Sequence, residues 1–67
     1  MKQTTIKKLE DMKTANRELF RFYVFMEREA HRKGEHEEKS YWLERVCDID
    51  DEIDRLDNDI KKLKGES

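Results

Sequence analysis

The chain has 67 residues, of which 48% are charged and 34% are hydrophobic, with no proline, one cysteine and a formal net charge of −2. This small number of apolar side chains cannot form both a packed interior and a catalytic pocket. We therefore predict a non-enzymatic protein without catalytic residues or a cofactor. A single cysteine provides neither an internal disulfide nor a zinc site, which predicts no metal centre and a reducing, cytoplasmic location. No apolar run approaches the ~18 residues of a membrane span, so we expect no membrane partner.

Charge is unevenly distributed along the chain. Residues 1–34 carry nine basic and five acidic side chains, whereas residues 35–67 carry six basic and twelve acidic ones. The densest acidic stretch, 48–59, has seven carboxylates and one base, Arg55. Opposite charge on the two halves of a short chain indicates that the halves face each other.

The first half of the chain has a row of residues at alternating steps of three and four, most of them apolar. This spacing predicts an α-helix near 5–33, with Thr4 or Thr5 as its N-cap. The predicted core row of this helix is Leu9, Met12, Asn16, Leu19, Tyr23, Met26 and Ala30. Asn16 is its polar member, and a lone buried Asn often fixes the register of paired helices at some cost in stability.

The segment between the two halves predicts a turn at 34–36. The row of the first helix, extended past Ala30, does not stay in phase with the apolar row of the second half. Gly34 lies in the gap between them. Basic residues precede it, as suits a helix C-terminus, and acidic residues follow it, as suits an N-terminus.

The second half shows the same spacing more strictly, because every member of its row is apolar. This predicts a helix near 37–64 that ends at Gly65. The predicted core row of this helix is Trp42, Val46, Ile49, Ile53, Leu56, Ile60 and Leu63.

A turn this short makes the two helices antiparallel neighbours. The predicted fold class is therefore all-α: one domain over 1–67, folded as an antiparallel, coiled-coil-like two-helix hairpin with the two rows as its core. We expect charges beside the rows to pair across the hairpin, Lys13 with Asp57 and Glu29 with Arg45.

Between positions 20 and 47, seven apolar or aromatic residues lie outside both rows, and a lone hairpin cannot bury them. One flank is predicted to carry Phe20, Val24, Leu43 and Cys47, and the other to carry Phe22, Phe25 and Tyr41. These residues are the candidate oligomer or partner interface. We predict a homodimer that forms a four-helix bundle, with docking onto another protein as the alternative.

The predicted function is that of a small protein–protein interaction or regulatory protein. The alternative function is that of a nucleic-acid-binding four-helix bundle that uses its basic first helix. In length and shape the chain resembles small dimeric four-helix bundles of the Rop type, which bind paired RNA hairpins. The basic residues for that function are Arg17, Arg21, Arg28 and Arg32 of the first helix. A further alternative is an inhibitor whose carboxylates in 48–59 mimic nucleic-acid phosphates. We do not expect nucleic acid as a partner, because the acidic second helix repels phosphate.

Overall fold

The computed structural model describes residues 2–65 and is helical over nearly all of them. Helix α1 spans Lys2–Lys33 and helix α2 spans His36–Leu63. The two helices pack against each other in a body of 48 × 18 × 12 Å, and no strand forms between residues 2 and 65. The predicted all-α fold of two packed helices is confirmed.

The helix ends differ slightly from the predicted ones. Helix α1 begins at Lys2, so Thr4 and Thr5 lie inside the helix and are not N-caps. Helix α2 ends at Leu63, and Gly65 follows with φ +80°. The Gly65 amide then donates a hydrogen bond of 3.1 Å to the carbonyl of Lys62, which closes the last turn.

The turn between the helices is closed by backbone hydrogen bonds around Gly34. Gly34 has φ +73°, a left-handed conformation that glycine adopts at little cost. Its amide donates to the carbonyl of His31 at 3.1 Å, and the Glu35 amide donates to the carbonyl of Ala30 at 2.9 Å. This pair of bonds is a Schellman motif, which ends α1 and reverses the chain within two residues.

Helix α2 directs its predicted row towards α1. Leu56 and Ile60 are buried, with 4% and 5% of their surface exposed. The other members of the row are half-buried: Trp42, Val46, Ile49, Ile53 and Leu63. Because every member of this row is apolar, only one rotation of α2 about its own axis buries the whole row against α1.

Helix α1 faces α2 with a row that differs from the predicted one. Met12 and Leu19 are 51% and 42% exposed, so the prediction that they lie in the hairpin core is wrong. Met26 is half-buried beside the row. The least exposed side chains at steps of three and four are Ile6, Leu9, Lys13, Asn16, Phe20, Tyr23, Glu27 and Ala30.

An ion pair explains how a row that contains Lys13 can face α2. The Lys13 ammonium donates a hydrogen bond of 2.6 Å to Asp57 Oδ1, so the predicted pairing of these residues is confirmed. The Lys13 side chain is 20% exposed, because its aliphatic stem lies along the helix contact. Ile6 and Phe20 lie one heptad before and after Lys13 and supply apolar area to the same column.

Candidate interaction surface

Six large hydrophobic side chains of residues 2–65 are exposed. They are Met12 (51%), Leu19 (42%), Phe22 (50%), Phe25 (58%), Tyr41 (47%) and Leu43 (48%). The hairpin core, in contrast, buries only Ile6, Ala30, Leu56 and Ile60 to 5% exposure or less among the described residues. Isolated exposed hydrophobics are ordinary, so the positions of these six side chains relative to one another matter more than their number.

One side of α1 carries an apolar row in addition to the row that faces α2. We call it the Met12 face and define it by four residues: Met12, Leu19, Phe22 and Met26. Their steps of seven, three and four are those of the a and d positions of a coiled coil. Since the first three are exposed and Met26 is half-buried, this row has the spacing of a helix contact but lacks a partner helix.

An aromatic cluster next to the Met12 face connects it to α2. The Trp42 ring lies 5.9 Å from Phe22 at 89° and 4.9 Å from Tyr41 at 81°, both edge-to-face, and 5.8 Å from Tyr23. The guanidinium of Arg45 lies 5.1 Å from the centre of the Tyr41 ring. The structure thus places Phe22 and Tyr41 on one flank, in a geometry that favours aromatic and cation–π contacts.

The opposite side of the hairpin carries a smaller apolar set. We call it the Leu43 face and define it by Val24, Leu43 and Cys47. Leu43 follows Tyr41 by two residues, which is about 200° around a helix, so the two side chains leave α2 in opposite directions. Leu43 is 48% exposed and the Cys47 thiol is exposed, whereas Val24 is half-buried.

Two aromatic residues of the predicted interface lie outside these faces. Phe20, predicted on the flank with Leu43, is half-buried in the row that faces α2. Phe25 is the most exposed large hydrophobic of the described residues, at 58%, and lies on the side of α1 that points away from α2. The seven predicted interface residues therefore do not form one surface. Three lie on the Leu43 face, two lie on or beside the Met12 face, and Phe20 and Phe25 lie on neither.

The charges beside Met26 pair within α1 and do not cross to α2. Glu29 accepts a hydrogen bond of 2.5 Å from Arg32, so the predicted pair of Glu29 with Arg45 is wrong. This hydrogen bond lowers the pKa of the Glu29 carboxyl and raises the pKa of Arg32. The reason is local, because residues three apart on a helix are neighbours.

The acidic stretch 48–59 forms about three turns of α2. Most of its carboxylates are exposed, and none of the described residues form a group of three or more His, Cys, Asp or Glu arranged to hold a metal ion. The four arginines considered for phosphate binding are all exposed on α1: Arg17, Arg21, Arg28 and Arg32. Within 2–65, neither helix has a segment long and apolar enough to cross a membrane.

No family model, curated protein or solved structure matches the chain. The surface itself is therefore the source of any functional inference. Sequence reasoning assigned Met12 and Leu19 to the core and so missed the row that they form on the surface. Spacing alone did not identify the observed row, because it includes Lys13 and Glu27, whose charges count against a core position.

Proposed function

We propose that the protein is a non-enzymatic interaction or regulatory protein that acts as a homodimer of helical hairpins, assembled as a four-helix bundle. The observation that carries this proposal is the exposure of six large hydrophobic side chains, between 42% and 58% each. Four of them belong to the Met12 face or the adjacent aromatic cluster: Met12, Leu19, Phe22 and Tyr41.

The energetics of a small hairpin favour such an assembly. A single core in a chain of this size contributes little, and four buried apolar side chains between residues 2 and 65 are few. Complete burial of a Leu, Met or Phe side chain contributes roughly 1.5–3 kcal/mol. In a dimer, covering the exposed half of each of these side chains therefore contributes a free energy comparable with that of folding the hairpin itself.

A dimer satisfies this requirement without a second gene product, because two copies present the same surface to each other. The proposal also places the protein in the cytoplasm, where an exposed thiol such as Cys47 stays reduced. Neither the row on α1 nor the aromatic cluster has the arrangement of a nucleophile with its base, so we assign no catalysis to this surface.

Thermal unfolding at two protein concentrations tests this proposal. If folded dimers unfold to separate chains, the melting temperature rises with concentration by mass action. We expect a clear rise in the midpoint, followed by circular dichroism at 222 nm, over a hundredfold increase in concentration. A midpoint that does not change over this range describes a monomeric hairpin and contradicts the proposal.

A further inference from the structure

We infer that a second copy of the chain covers the Met12 face with its own α1, running antiparallel about a two-fold axis that passes between the two α1 helices at the level between Leu19 and Phe22. This inference rests on the proposed dimer and adds which face is used, which helices meet and in which direction. The axis is perpendicular to the helices, so that α1 lies on α1 of the second copy and the two turns lie at opposite ends.

The composition of the two helices selects α1 as the covering element. An apolar row at heptad spacing needs an apolar row of the same spacing opposite it. Helix α2 does not present one on this side: Arg45 stacks on Tyr41, and the positions seven residues before and after Arg45 are Glu38 and Glu52. The Met12 face of the second copy has the required spacing and apolar character, so it is the best cover that this chain offers.

Residue sizes fit an axis between Leu19 and Phe22. Antiparallel pairing about this axis places Leu19 of each copy against Phe22 of the other. The same register places Ala15, which is exposed and small, against Met26, which is long and flexible. These two pairs set a smaller side chain against a larger one, as close packing requires, and the same register places Met12 of each copy opposite Glu29 of the other at the ends of the row.

Charge at the edge of the row gives the direction. The column at positions 11, 18, 25 and 32 lies at the outer edge of the Met12 face and holds Asp11, Glu18, Phe25 and Arg32. The acids lie towards the N-terminal end of α1 and the base lies at its C-terminal end. Antiparallel α1 helices therefore bring Asp11 of one copy near Arg32 of the other, whereas parallel helices bring like charges together.

The Arg32 and Asp11 side chains have room for this contact. They are 68% and 69% exposed, and each already has a partner on its own helix, Glu29 and Lys7. Exposed charge pairs contribute little to affinity, so their effect is on direction and register, while the apolar row supplies most of the association.

Matched leucine substitutions test which face is used. Leu19 and Leu43 are similarly exposed, at 42% and 48%, and lie on opposite faces of the hairpin. We expect Leu19→Lys to weaken self-association by at least about thirtyfold, as loss of an interface anchor does, and Leu43→Lys to leave it close to wild type. Circular dichroism at high concentration checks that both variants remain helical.

The outcomes separate the inference from the proposal on which it rests. A monomeric wild-type protein contradicts the proposed dimer and the inference with it. A wild-type dimer that survives Leu19→Lys contradicts the inference alone and leaves the dimer to another face. If Leu19→Lys and Leu43→Lys both dissociate the dimer, the spin-label distance described next decides whether the two α1 helices are antiparallel.

A spin-label distance tests the direction of α1. The label is attached at Gln3→Cys, an exposed position, in a Cys47→Ser background. With a rise of 1.5 Å per residue, antiparallel α1 helices with this axis place the two labels about 50–55 Å apart. Parallel α1 helices in a bundle place them within about 30 Å. A distance in the shorter range contradicts the inference.

Discussion

Lys13 and Asp57 join the two helices of the hairpin across 44 residues of sequence, through a hydrogen bond of 2.6 Å between ammonium and carboxylate. Asp57 also lies 3.2 Å from the ammonium of Lys61, one turn further along α2. These hydrogen bonds, with Lys13 the larger cause, lower the pKa of the Asp57 carboxyl below its ordinary value of 3.8. The pair fixes the rotation of α1 against α2.

The lowered pKa of Asp57 makes part of the stability dependent on pH. A carboxyl whose native pKa lies below its unfolded value of 3.8 stabilises the fold above that value, and this contribution is lost as the pH falls through the native pKa. We expect Asp57→Asn to lower the melting temperature at pH 7. The difference from wild type should shrink at about pH 2. Melts at equal protein concentration measure it, and a difference unchanged by acid contradicts the role given to the pair.

Truncation to alanine should have a large effect on stability at Leu56 of α2 and a small one at Leu43 of the same helix. Leu56 is 4% exposed, so Leu56→Ala removes buried apolar area and leaves a cavity, which costs about 2–5 kcal/mol of unfolding free energy. Leu43 is 48% exposed, so Leu43→Ala should change it by no more than about 0.5 kcal/mol. Urea titrations followed by circular dichroism compare them. Equal losses from the two variants disagree with the packing described.

Substitution of Gly34 tests how much the turn between the helices depends on the left-handed backbone at this position. The Gly34 φ of +73° is strained for any residue with a Cβ, although a Cβ at this position meets no atom within 4 Å. Gly34→Ala should therefore lower the unfolding free energy by about 1–2 kcal/mol, through backbone strain alone. Gly65→Ala is the matched control, because Gly65 also has positive φ, +80°, but lies after the last turn of α2. We expect Gly65→Ala to lower the unfolding free energy by less than Gly34→Ala does. A larger loss from Gly65→Ala would contradict the role of the Schellman motif in closing the hairpin.

Asn16 offers a test of polarity in the row that faces α2. It is half-buried there, among neighbours that include Leu9 and Tyr23. A polar residue at such a position holds the register at the expense of stability. Asn16→Leu should therefore raise the midpoint of urea unfolding. A lower midpoint indicates that the amide forms interactions that the leucine cannot replace.

The sequence allowed the architecture and the face of α2 to be predicted, for a physical reason. The α2 row is apolar at every position from Trp42 to Leu63, and the acidic stretch occupies most of the remaining surface. Only one rotation of such a helix buries its apolar area. Gly34 is equally informative, since it is the glycine between two oppositely charged helix ends.

The face of α1 could not be predicted from hydrophobicity alone, because α1 has more than one usable row. The column Leu9, Asn16, Tyr23 and Ala30 belongs to both the predicted and the observed row. On one side of it lie Met12 and Leu19, and on the other side lie Lys13 and Phe20. Counting apolar residues favours the first pair, but the ion pair of Lys13 with Asp57 and the burial of Ile6 favour the second. The choice depends on contacts with α2, which spacing within α1 does not contain.

Sedimentation equilibrium of the wild-type chain at low micromolar concentration tests the central claim most directly. The proposed assembly of two hairpins predicts a mass of twice the 8.2 kDa of one chain. It also predicts that Leu19→Lys returns the mass to that of one chain while the protein stays helical at high concentration. A wild-type species of 8.2 kDa with full helicity would contradict the account, because the Met12 face would then stay exposed in the folded protein.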